Sequence, residues 1–283
     1  MANSNKKRHM NISNIIIFII LIFLSILFLS PIFIILVNSF KGKFYISETP
    51  FELANSETFV ELENYTAGLR KTKFINAFGW SLFITIASVM VILLFTSMTA
   101  WYIIRLKNRI NNMLYYLFTV SMIVPFQMVM FTMTKVANML HLDNPIGIIV
   151  IYLGFGAGQS VFMFSGFIKS VPMELEEAAM IDGCGTIRTF FKVVIPVLKP
   201  ITVTVAILNT MWIWNDYLLP YLLIGMDYKT IPVAIQYLRG GYGSIDMGAM
   251  MAMLVLAIIP VVIFYVTCQK YIIEGVVAGA VKG

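Results

Sequence analysis

Ser170-Val-Pro-Met-Glu-Leu-Glu-Glu-Ala-Ala-Met-Ile-Asp-Gly-Cys-Gly-Thr-Ile-Arg-Thr-Phe-Phe-Lys-Val-Val-Ile-Pro196 is a polar, charged island between long apolar runs. Ser170 is a candidate N-cap, Pro172 suits a first helical turn, and Glu174, Glu176 and Glu177 fall near the positive end of the helix dipole. Gly183 follows as the C-terminal residue of that helix and permits the turn. A second helix is expected from about Thr186, since Ile187, Phe190, Phe191, Val194 and Ile195 recur at i, i+3, i+4, i+7 and i+8 with Arg188 and Lys192 opposite. Pro196 is expected to break it. The spacing predicts a helix–glycine–helix hairpin on a membrane surface, charged at its tip.

The rest of the chain supplies the membrane. Of 283 residues, 59% are hydrophobic and only 12% charged, about half the charged share of a soluble chain. The composition reads as one polytopic membrane domain. The net charge of +6 is assigned to basic inner loops rather than to nucleic acid, because no basic patch lies on a soluble face. Cys184 and Cys268 form no disulfide framework, and His9 and His141 are isolated, so no metal-ligand cluster is expected.

Spans are expected at about 15–37, 74–104, 113–134, 145–168, 200–219 and 247–268. Ile15 to Val37 is too long for a signal-peptide core and no small-residue cleavage site closes it. Its length covers about 34 Å as a helix, enough to cross the hydrocarbon. Residues 1–14 read as an inner N-terminal segment and 269–283 as an inner tail. Residues 38–73 read as a polar loop, and Trp101-Tyr102 as part of an aromatic belt above the basic turn Arg105, Lys107 and Arg109, which no acid opposes in sequence. The third span carries Pro125 and Gln127. Gly147, Gly154, Gly156 and Gly158 let the fourth pack closely or bend. With the N-terminus inside, twelve Lys and Arg lie inside and eight outside, and the clusters at 6–8 and 105–109 sit against span ends. Both termini and the hairpin are then cytoplasmic.

No Ser/His/Asp set, no H-E-x-x-H and no G-x-x-x-x-G-K-[ST] is present, so neither an enzyme site nor a phosphate loop is expected in this chain. A chain without that loop takes its energy from a partner. Asp216 is the single ionisable group inside an expected span, close to its end, and Gln127 and Asn209 are uncharged polar groups in others. A substrate path and plain interhelical bonding both fit them.

Glu177-Ala178-Ala179, three residues, Gly183, nine residues, Val193-Val194-Ile195-Pro196 resembles the EAA loop of bacterial ABC importer permeases, with Val193 and Ile195 replacing the pattern's Ile and Leu. Gln269-Lys270-Tyr271 and Gly275 through Gly279 to Lys282-Gly283 resemble the "Q-R-Y-F-x-x-G-x-x-A-G-A-V-K-G" ending of the maltose-type permease in the carbohydrate uptake family, with Lys270 in place of Arg. Trp214-Asn215-Asp216-Tyr217 up to Pro220 is similar to the W-N passage of sugar permeases, and Glu63-Asn64-Tyr65 to their "ENY" lead into the second span.

The resemblance implies an all-α polytopic fold of type I, with six transmembrane helices and cytoplasmic coupling helices in the bacterial inner membrane. Glu177, Ala178, Ala179, Asp182, Gly183 and Pro196 would meet the ATPase, and Gln269, Lys270, Gly275, Gly279 and Lys282 would form a coupling tail. Gln127, Asn209, Trp214, Asn215 and Asp216 would be path residues, Trp214 stacking on sugar faces; an interfacial belt fits Trp214 equally. The loop 220–245, with Gly240, Gly241 and Gly243, would reach a binding protein. The implied partners are a second permease, two ATPase subunits holding ATP and Mg, an extracytoplasmic sugar-binding protein and the lipid bilayer, with no cofactor in this chain and no nucleic acid. The implied activity is import of a di- or oligosaccharide. A permease for a peptide or polyamine, a passive channel and a membrane-embedded enzyme remain the alternatives.

Overall fold

A computed structural model describes residues 12–225, 227–238 and 246–280, the segment 272–280 as backbone only. Among them the regular structure is helical, with one isolated antiparallel bridge between Lys41 and Phe59. Among the described residues two compact units separate: those of 1–71 and 238–256, and those of 72–237 and 257–283. Among the described residues four helices are long and apolar enough to cross a membrane, or up to six if each of two bent pairs is one span.

The first unit opens with α1 (Ile12–Asn38), in which only Asn38 is buried. A helix whose solvent is lipid closes its own backbone bonds and needs no protein around it. Beyond it, residues 39–71 are more than the loop expected. They carry α2 (Lys43–Glu48) and α3 (Glu63–Thr72), held together by buried polar groups. The amide of Asn64 donates to the carbonyls of Ser39 (2.9 Å) and Lys41 (2.8 Å), and the Tyr65 hydroxyl meets Ser39 Oγ at 2.8 Å. Lys41 is itself fully buried, its ammonium donating to the Thr49 carbonyl at 2.6 Å. The "ENY" segment therefore anchors the end of α1. In the same unit Lys71 pairs with Asp246. Burial opposes ionisation of Asp246, but the Lys71 ammonium and the Ala249 amide outweigh it and hold its carboxyl below the usual range.

The second unit is built on α4 (Phe74–Arg105), which runs without a break. A tight connection leads to α5 (Arg109–Ser121), whose first turn is capped by Asn108. The third span is not the continuous 113–134 helix expected: α5 and α6 (Phe126–Met139) meet at 108°. Pro125 has no N–H and forces its predecessor out of the helical region, so the chain turns there. Next comes α7 (Pro145–Ile168), continuous through all its glycines and the main partner of α4. At Gly156 a Cβ would lie 2.8 Å from Ile92 Cδ1, and at Gly158 2.5 Å from Ser121 Oγ and 2.8 Å from the Phe118 carbonyl oxygen. These two glycines permit close approach of helices, not a bend.

After α7 come α8 (Glu174–Ile181) and α9 (Thr186–Thr189), a π-type turn (Phe190–Val194) and α10 (Ile195–Val197). Pro196 does not end the second arm. The ladder widens just before it, the Ile195 amide reaching back to the Phe190 carbonyl, and helix resumes to Val197. The direction then changes by 79° into α11 (Lys199–Asn215). The fifth span stops at Asn215, short of the 219 expected: Asp216 leaves the helical conformation, and its Oδ1 accepts from the Leu218 amide at 3.0 Å at the start of a new helix, α12 (Leu218–Leu223). The stretch 220–245 is likewise more than a loop: it includes α13 (Ile231–Gln236), whose first amide donates to Ser81 Oγ at 2.8 Å. Gly240, Gly241 and Gly243 lie outside the described residues. The last helix, α14 (Met247–Ala280), runs through the boundary expected at 268 and into the tail.

Candidate coupling site

The hairpin forms with the glycine where the spacing put it. The Cys184 amide donates to the Ala179 carbonyl at 2.9 Å and the Gly183 amide to Met180 at 3.0 Å, a left-handed C-terminal turn with Gly183 at φ +83°. Nothing lies within 4 Å of a Cβ built there, so backbone conformation alone demands glycine. The N-terminal reading is corrected. Ser170 caps nothing on α8; its hydroxyl donates to the Phe167 carbonyl at 2.7 Å, in the last turn of α7. The α8 N-cap position is Met173, with no side-chain bond, and the first-turn acids Glu174, Glu176 and Glu177 compensate the dipole. In the second arm Phe190 and Val194 are buried as the period predicts, while Ile187 and Phe191 are exposed.

Of the three acids, Glu176 differs in kind. Its side chain is 4% exposed, against 14% for its partner Arg105, and Arg105 Nη2 lies 2.7 Å from Oε1. Arg105 Nε donates to the same oxygen at 2.9 Å, and Trp101 Nε1 donates to Oε2 at 2.8 Å. Arg105 also reaches the Val171 carbonyl at 3.1 Å, and the Trp101 ring lies 5.4 Å from that of Phe190. Arg105 is thus not unopposed, and Trp101 is more than a belt residue. Removing one partner of a buried pair typically costs about 3–5 kcal/mol, because the other charge is stranded. Glu176 and Ala179, at i and i+3, share the inward face. Ala179 is therefore not on the outer surface expected of it; Glu177, Ala178 and Asp182 are.

The expected path residues are not brought together. Asn209 is buried and its amide is occupied by Ser160 Oγ (3.2 Å) and the Val205 carbonyl (2.9 Å). Asp216 Oδ2 accepts from the Tyr152 hydroxyl at 3.0 Å, so both its oxygens are engaged in structure. Asn215 donates to the Met211 carbonyl at 2.7 Å, and Gln127 is exposed on the first turn of α6. Trp214 alone of the five lines a cavity of about 350 Å³, against Phe78, Thr85 and Met90 of α4, Thr210 of α11 and Phe264 of α14. Thr85 and Thr210 are the polar groups that sequence reasoning missed there. Nothing in their local pattern separates them from other threonines in spans.

In the tail, Gln269 and Lys270 are exposed, and Gly275 and Gly279 belong to the last turns of α14; Lys282 lies outside the described residues. Among the described residues no three His, Cys, Asp or Glu gather as a metal site.

Long apolar helices, a sharply bent helix pair and a charged hairpin closed by a left-handed glycine fit a transport permease. Residues 92–277 match the family of binding-protein-dependent transport system inner membrane components, and the chain belongs to that family. Its relatives include the "Probable starch degradation products transport system permease protein AmyC" of Thermoanaerobacterium thermosulfurigenes, 40% identical over 88% of this chain and 90% of the relative. The multiple sugar-binding transport system permease protein MsmG of Streptococcus mutans is 38% identical over 79% of this chain and 82% of its own length. A solved bacterial ABC transporter, described as involved in import of the acidic polysaccharide alginate, has a chain of the same fold: TM-score 0.75 at 22% identity, covering 96% of this chain and 99% of that one. The type I importer permease fold expected from the EAA loop is the fold observed.

Proposed function

We propose that this chain is one of two permease subunits of an ATP-driven, binding-protein-dependent importer of di- or oligosaccharides, with α8 and the Gly183 turn as its cytoplasmic contact with the ATPase. The observation that carries the docking role is the surface of the hairpin tip. Ile181 is 86% exposed and Ile187 69%, beside the exposed acids Glu177 and Asp182. Acids keep such a tip out of lipid, and clustered apolar side chains sit poorly in water, so the surface suits a groove on a soluble protein. Asp182 supports the same role, since an acid at a helix C-terminus opposes the dipole and gains nothing from it. Gln269, Lys270, Gly275, Gly279 and Lys282 form the second contact with the ATPase subunits, which hold ATP and Mg. Both termini face the cytoplasm, in keeping with the distribution of Lys and Arg. The sugar class rests on the named relatives, which handle starch products and multiple sugars. Trp214, flanked by Thr85 and Thr210, is the site on this chain best suited to a sugar face and its hydroxyls.

Two measurements test this. A deletion strain offered a panel of labelled sugars, peptides and polyamines is expected to lose uptake of an oligosaccharide; loss of peptide or polyamine uptake with sugars unchanged rejects the substrate class. Gly183→Val forces a β-branched residue into φ +83°, at a cost of about 1–3 kcal/mol. It is expected to abolish uptake and co-purification with the ATPase. Unchanged uptake and co-purification reject the docking role.

A further inference from the structure

Very little attaches α8 to its own unit. Of its residues only Glu176 and Ala179 are buried, while Leu175, Glu177, Met180 and Ile181 are exposed. One methyl group and one carboxylate are its buried attachments, and the half-exposed Leu175 lines a small cleft with Ile168, Val171 and Val193. The carboxylate is gripped at both oxygens by Arg105 and Trp101, which stand at i and i+4 on the last turns of α4. The same two side chains reach the flanks of the hairpin. Arg105 bonds the Val171 carbonyl ahead of α8, and Trp101 packs on Phe190 beyond the turn. Charge-assisted bonds shielded from water are stiff, and nothing comparable holds α8 elsewhere among the described residues. A pull on the exposed face of α8 must then reach α4 before the grip opens. The α4 helix carries that movement on without interruption: Thr85, which lines the cavity beside Trp214, lies 16 residues from Trp101, roughly 24 Å along a continuous helix.

We propose that Glu176, Arg105 and Trp101 are positioning residues that transmit movement of the hairpin to α4, and through α4 to the wall of the cavity. The proposal rests on the docking reading above. Glu176 acts through Arg105 and Trp101, converting displacement of a surface helix into displacement of a span.

The test uses the assembled complex, with its second permease and ATPase subunits, in proteoliposomes supplied with the sugar-binding protein and its sugar. The quantity read is sugar taken up per ATP hydrolysed, which a loss of folded protein does not alter. Glu176→Gln keeps the shape and removes the charge. It is expected to co-purify with the ATPase and hydrolyse ATP, while uptake per ATP falls about tenfold or more, within the usual range of coupling between sites. An assembled Glu176→Gln complex with the wild-type ratio overturns the proposal. Should that variant not assemble, Trp101→Phe carries the test, since it keeps the ring on Phe190 and deletes only the Nε1–H. A lowered ratio supports the proposal and an unchanged one overturns it. Failure of both variants to assemble also overturns it, because a transmission contact must be separable from assembly. Gly183→Val separates the two readings: a complex of that variant that co-purifies and transports normally removes the docking role, whatever Glu176→Gln does.

Discussion

Replacing single glycines in α7 by alanine should give different effects about one turn apart. At Gly158 the new methyl would stand 2.5 Å from Ser121 Oγ and 2.8 Å from the Phe118 carbonyl oxygen. The hydroxyl can rotate away, but the carbonyl is α5 backbone and moves only with its helix. Relief requires α5 to withdraw by about 0.6 Å, given an ordinary carbon–oxygen contact near 3.4 Å. Overpacking of this kind costs about 1–3 kcal/mol, and the helix gains back about 0.5–1 kcal/mol from losing a glycine. At Gly154 a Cβ meets nothing within 4 Å, so only the helix gain remains. Gly158→Ala should therefore lower Tm and Gly154→Ala should leave it unchanged or raise it, at roughly 2–4 °C per kcal/mol for a chain of this size. Thermal unfolding of the purified proteins in one detergent reads the difference, with Gly166→Ala, also open within 4 Å, as a second unhindered site. Coincident melting of Gly158→Ala and Gly154→Ala, or a reversed order, refutes the close approach of α5 and α7.

Asn64→Ala strands the carbonyls of Ser39 and Lys41, which the Asn64 amide now satisfies from a buried position. It should destabilise the first unit by about 1–3 kcal/mol, read as faster amide exchange over residues 39–64. Asp246→Asn removes a carboxylate whose pKa is held below its ordinary value, so the stability it contributes is present above the unfolded pKa and lost as pH falls through the folded one. The difference from wild type should be full at pH 7, no more than about 1 kcal/mol for so exposed a pair, and absent once both states are protonated. A difference that grows on acidification contradicts this sign.

The amino-acid sequence was enough for the class of molecule and for the hairpin turn. Runs of uncharged residues long enough to cross lipid determine spans whatever the partners, which is why α1, α4 and α7 lie within a few residues of the expected limits. Gly183 was legible because a left-handed C-terminal turn is a local demand. Pro125 and Asp216 carried the breaks in the third and fifth spans just as locally, yet hydropathy averages over such residues and hides them. What only the tertiary structure decided is which of several like residues does what. Three acids share the first turn of α8, and Glu176 is singled out by a tryptophan and an arginine some seventy positions earlier. Glycines spaced along α7 look alike in order, and their roles follow from what faces each one. Asn209 and Asp216 suggest a path when read alone and prove to be bonded to Ser160 and Tyr152. Local conformation and solvent preference are properties of a segment; partnership across helices is a property of the packed chain, and no pattern in a single sequence records it.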